Sequence, residues 1–151
     1  MSKVQKGCGS PWVQKAEAYV KAHAGIPKDA AKVETLRLLL AGHCGEKNRI
    51  PSEAVVAHLQ SKGHSMSSVR SLQHTVLGEL KRQGALATLL NQPGGVFIPC
   101  EESEIGKVAQ QVYGRVISEL TNLQGIVAHA PSVVAVVKAT IQAVEADMKR
   151  L

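Results

Sequence analysis

Aromatic side chains are nearly missing: one Trp, one Phe and two Tyr in 151 residues. A core built without them must be filled by Val, Leu, Ile and Ala. Single-stranded nucleic acid would find few rings to stack on, so that class of ligand has little support. Cysteine is scarce as well. Cys8, Cys44 and Cys100 are scattered, odd in number, and form no Cys-x-x-Cys pair. That argues against a disulfide framework and gives zinc no paired thiolates, since His43-Cys44 has no distant partner pair at metal spacing. Neither a metal nor a cofactor is expected. Three free thiols are, and with them a reducing, intracellular and cytoplasmic setting. No stretch approaches the ~20 apolar residues of a membrane span, and Met1 to Gly9 is too polar for a signal peptide. Catalytic signatures are also lacking. His23, His43, His58, His64, His74 and His129 stand in no nucleophile or metal pattern, and there is no G-x-S-x-G, Walker loop or H-E-x-x-H. The chain is not expected to be an enzyme.

What is present begins with uneven charge. The formal net charge is +6. Residues 1–49 hold nine Lys and Arg against four Asp and Glu, residues 50–100 four against two, and residues 101–151 five against six. The front two thirds can sit near a polyanion, whereas the tail has no such bias.

Periodicity sets out the elements. Ser10-Pro11 is a cap followed by a first-turn proline, and the helix after it ends near Gly25 with Val13, Ala16, Val20 and Ala24 on one stripe. Asp29 is placed to cap a second helix, with Val33, Leu36, Leu39 and Leu40 inward. Arg49-Ile50 reads as a minimal extended step. Ser52 is expected to cap a helix to Gln60 whose inner side is Ala54, Val55, Ala57 and Leu59, with Gly63 as its left-handed stop. Ser67 is expected to cap the next helix, where Val69, Leu72, Val76, Leu77 and Leu80 face inward. Ala85 to Leu90 and Val96 to Ile98 read as strands around the turn residues Asn91 to Gly95. Two long helices follow. The first is expected from Glu101 to Leu123, interrupted at Gln124-Gly125. The second opens at Pro131, where Val134, Val137, Ile141, Val144, Met148 and Leu151 trace the seam of a packed pair.

The outer face of the helix near 67–82 is the candidate site. A helix entering the major groove of DNA needs small or polar residues at its leading end. Ser67, Ser68, Arg70, Ser71 and His74 meet that need, and Arg70 can fork onto O6 and N7 of a guanine. Lys62, Lys81, Arg82 and Arg49 add flanking charge, and Asn91 adds a polar contact at the hairpin tip. The competing reading is the solvated face of an amphipathic helix.

The order helix, helix, short strand, helix, reader helix, two-stranded hairpin, helix, helix resembles the winged helix-turn-helix superfamily, and its length and flanking helices are similar to the MarR-type regulators. Those regulators usually carry an Asp-x-Arg pair in the wing, and Leu86 to Ile98 contains neither residue type. The resemblance implies a mainly α protein: a winged-helix domain with N-terminal helices over 1–100 (helix-turn-helix about 52–83, wing about 85–99) and a C-terminal dimerisation hairpin over 101–151. It further implies a homodimeric transcriptional regulator that sets two reader helices in successive major grooves of double-stranded DNA. A winged-helix protein-interaction module without DNA binding is the alternative. Packing of the last helices within one chain is the alternative to a dimer.

Overall fold

The computed structural model describes residues 8–89 and 94–151. The protein is mainly α, as expected. Helices α1 (Pro11–His23), α2 (Ala30–Gly42) and α3 (Ser52–Ser61) are followed by a rod made of α4 (Val69–Leu72), a π-turn (Gln73–Leu77) and α5 (Gly78–Arg82). Strands β1 (Ala87–Leu89) and β2 (Gly95–Phe97) come next, then α6 (Glu102–Val127) and α7 (Pro131–Met148). The chain divides into two compact units, Met1–Gln111 and Val112–Leu151.

The first unit closes on an aliphatic core, as the shortage of aromatics requires. Leu36 and Leu39 of α2, Val55 and Leu59 of α3, Leu72, Leu77 and Leu80 of the rod, and Val96 and Ile98 are all fully buried within it. Phe97, the single Phe, is fully buried too. The inward faces differ in detail from the expected ones. Helix α1 buries Tyr19 with Val13 and Ala16, and Tyr19 stacks on the His23 ring at 3.8 Å; Ala24 is exposed because the helix has already ended at His23. Helix α3 buries Val56 with Val55 and Leu59, while Ala54 and Ala57 face out: the larger side chains take the covered arc.

Helix starts depart further from expectation. Ser10 does cap α1, its Oγ accepting from the Val13 N–H at 3.2 Å, and it also donates to the Pro99 carbonyl at 2.6 Å. Asp29 and Ser52 do not act as caps. The Asp29 carboxylate turns to Lys32 instead, and α3 begins at Ser52 itself, behind Pro51. The cap of the rod is Ser68, one residue beyond the expected Ser67. Gly63 does take the left-handed turn, at φ +84°, closing α3 with bonds from its N–H to Gln60 and from His64 to Leu59.

β1 and β2 pair antiparallel, Thr88 opposite Val96. Ile50 bridges the other edge of β2 through reciprocal bonds with Val96 at 3.0 and 2.9 Å, so the expected extended step at Arg49-Ile50 is present. The expected strand end at Leu90 and the turn residues Asn91, Gln92 and Pro93 lie outside the described residues. Helix α6 runs through Gln124-Gly125 without a break. An interior glycine costs a helix only about 1 kcal/mol relative to Ala, too little to end one whose neighbours keep propagating it. The stop comes ahead of Pro131 instead.

The π-turn is the least expected element. Its closing bond runs from the Gly78 N–H to the Gln73 carbonyl, and a Cβ on Gly78 would meet that same oxygen at 2.9 Å. Gly78→Ala should therefore destabilise the fold by about 1–3 kcal/mol, the range for forcing a methyl into packed structure. Ordinary helix propensity predicts the opposite, a gain of about 1 kcal/mol. Urea unfolding separates the two signs, and a stabilised variant would mean that the wide turn closes to an α-turn without penalty.

Candidate nucleic-acid interface

The helix–turn–rod segment is held by its turn. Met66 is buried and plugs it, while the Gln60 side chain donates to the Met66 carbonyl at 2.6 Å. Neither residue stood out in the sequence. From this turn the rod presents one covered and one open face. Leu72, Val76, Leu77 and Leu80 are buried, Val69 is half-buried, and Arg70, Gln73, His74 and Thr75 are exposed.

The proposed contact residues thus fall into groups. Ser67, Ser68, Arg70 and His74 sit together, exposed, at the leading end of the rod. Ser68 Oγ already accepts from the Ser71 N–H at 3.1 Å, which leaves its hydroxyl proton to donate outward. Ser71 is only half-exposed, and its carbonyl accepts from the Thr75 hydroxyl at 2.8 Å. Lys81 and Arg82 lie exposed at the trailing end, and partial burial lowers the Lys81 pKa from the ordinary lysine value. Lys62 is exposed at the end of α3. Arg49 is less available: its stem packs over Gly95, within 3.1 Å of where a Cβ would stand, and its guanidinium donates to the Glu46 carbonyl at 3.2 Å. Asn91 lies outside the described residues. Gln73 and Thr75 were missed: α-helical spacing does turn Thr75 outward, but it sets Gln73 about 100° from Leu72, inside the arc of Val76, Leu77 and Leu80.

A hollow of about 480 Å³ lies elsewhere in the first unit, where Glu104 accepts from the backbone N–H groups of Glu46 and Cys100, each at 2.7 Å, and Lys107 pairs with Glu46 at 2.8 Å. Glu104 and Lys107 thus find their partners within the hollow's own lining. Among the described residues no cluster of His, Cys, Asp or Glu is arranged to hold a metal. No helix of the described residues is long and apolar enough to cross a membrane. The cysteines overturn an expectation. Cys8 and Cys100 form a disulfide, and only Cys44 is a free thiol. Spacing along the chain could not show this, because the two lie 92 residues apart and meet only through the fold. The reducing compartment inferred from unpaired thiols loses its support.

No family model matches the chain, and no solved structure matches it. A curated relative does. Over 122 residues the chain is 38% identical to the candidate control protein C.MjaVP of Methanocaldococcus jannaschii, covering 77% of this chain and 74% of that one. The chain belongs to this control-protein family. Control is the role that the relative's name assigns to it.

Proposed function

We propose that this control-family chain is a DNA-binding transcriptional regulator, a homodimer that reads duplex DNA with the rod of residues 69–82. The observation that carries the reading is the rod's two-sidedness. Leu72, Leu77 and Leu80 lock it to the body with no exposed surface, while Arg70, Gln73 and His74 stand outward behind a tight turn. The β1–β2 hairpin, with Ile50 on its far edge, supports a winged-helix arrangement. Residues 1–100 form the DNA-reading part, and residues 101–151 the dimerisation part.

Dimerisation rests on the second unit. Val112, Val116 and Leu120 of α6 and Ile141, Val144 and Met148 of α7 line a groove of about 660 Å³, and no residue of either helix is fully buried. A pair of helices with so little core of its own needs a cover for its apolar face. The rim carries Arg115 and Lys149 with Glu119 and Glu145, a balanced set that suits a second copy of itself under two-fold symmetry. Val116→Asp should convert the dimer to a monomer in light scattering; an unchanged mass would place the interface elsewhere.

Duplex retention at low and moderate salt tests the main reading. Affinity should fall by about 0.9 log unit per log unit of salt for each neutralised phosphate. Arg70→Ala should weaken cognate binding by about 1–3 kcal/mol and relax one base position. Failure to retain any duplex at low salt would leave the second reading, a protein-interaction module, which the exposed apolar groove and a hairpin without Lys or Arg between Leu86 and Ile98 favour.

A further inference from the structure

The π-turn changes which side chains the rod can offer. At α-helical spacing, Leu77 would be rotated by about 140° from Leu72, since five residues overshoot one 3.6-residue turn. In an i→i+5 turn, residues five apart come back close to one side. Leu72 and Leu77 are both fully buried, and the Gly78 N–H reaches back five residues to the Gln73 carbonyl. The covered arc is narrowed, and the circumference left over goes to the outer face. There Gln73, His74 and Thr75 are exposed in succession. Gly78 keeps the arrangement possible, because any side chain there would press on the Gln73 carbonyl.

Gln73 is the residue this surface gains. Among the described residues its carboxamide has no hydrogen-bond partner, in contrast to Thr75, which bonds back to Ser71. It lies three residues after Arg70, a rise of about 4.5 Å along the rod, against a base spacing of about 3.4 Å along each DNA strand. A carboxamide carries a donor and an acceptor side by side. Adenine presents the complement on its major-groove edge, N7 accepting and N6 donating. We propose that Gln73 is a specificity-determining residue, selecting an adenine close to the guanine read by Arg70. This rests on the reading of the rod as a DNA reader.

Selection from a randomised duplex library with the full-length chain tests it. The wild type should enrich a guanine with an adenine within two base pairs. Gln73→Ala should lose the adenine preference, by about 5- to 150-fold, while keeping the guanine and retaining non-specific duplex to within about twofold, because no phosphate contact is removed. Gln73→Glu should move the preference from adenine toward cytosine, whose N4 only donates. An unchanged base profile in Gln73→Ala, beside a wild type that selects a motif, would overturn this assignment alone. A wild type that selects no duplex would overturn it together with the reading it rests on.

Discussion

Cys100→Ser should lower the stability of the oxidised protein by about 4–5 kcal/mol, the loss expected when a closed loop of this length is opened. The Cys8–Cys100 bond spans 92 residues, nearly the whole first unit. A cross-link of that span removes much of the freedom of the unfolded chain and leaves the native contacts as they are. Its position adds to the effect. Cys8 lies just ahead of α1 and Cys100 just ahead of α6, and beside them the Ser10 hydroxyl donates to the Pro99 carbonyl. Without the disulfide, the start of α1 is held by that hydrogen bond, at a net worth of only about 1 kcal/mol, and by the packing of Val13 and Ala16 into the core. Urea unfolding of wild type, reduced wild type and Cys100→Ser measures the difference, with Cys44→Ser as the control that breaks no covalent bond. Cys44 is half-buried, and burial raises its pKa, followed by the nearby Glu17 carboxylate. A thiol titration of the denatured, unreduced chain should find one free thiol; three would remove the basis of the prediction.

Legibility from sequence followed the range of the interaction. Helical stripes are local, and Leu36, Leu39, Leu72, Val76, Leu77 and Leu80 lie on the buried faces that periodicity assigned them. The left-handed Gly63 and the bridge at Ile50 were legible for the same reason, since turn chemistry and a residue ahead of a proline act within a few positions. Capping was less so: Ser67 and Ser68 are chemically equal as caps, and only the path of the turn plugged by Met66 decides for Ser68. The π-turn left no mark in the hydrophobic pattern. The buried set of 72, 76, 77 and 80 fits an α-helix as well, and the wide turn depends on one carbonyl's approach to Gly78. At the candidate site, Arg70 and His74 were visible as outward polar positions. The loss of Arg49 to packing over Gly95 was not, because those residues meet across the bridge between Ile50 and β2. The disulfide and the Lys32–Glu79 pair are tertiary in the same way.

Lys32→Met should cost about 3 kcal/mol, at the lower end of what breaking a buried ion pair costs. The ammonium is nearly enclosed and bonds to two carboxylates: Asp29 Oδ1 at 3.2 Å and Glu79 Oε2 at 2.6 Å. Asp29 is also buried, so removing the cation leaves its charge in a poorly solvated place. Glu79 is 43% exposed and can turn to water, which keeps the loss from being larger. Glu79→Gln should therefore cost less than Lys32→Met, and the ranking is itself a test. The cluster joins α2 to α5, so it also fastens the rod that carries Arg70 and Gln73. Its pH dependence follows from Lys32, whose pKa is raised chiefly by the bond to Glu79, with desolvation opposing and Asp29 adding to the rise. A lysine with a raised folded pKa stabilises the fold fully below its unfolded value of about 10.4, and that contribution is lost only as pH climbs through the raised folded value. Tyr19, buried beside the same cluster, has its pKa raised by desolvation and then by Asp29, so it too loses stability in alkali. The difference between wild type and Lys32→Met removes most of the tyrosine contribution. Measured by urea unfolding, that difference should stay level from neutral pH to about pH 10 and shrink beyond it. A difference that vanished near neutrality would mean that the ammonium does not hold α2 and α5 together.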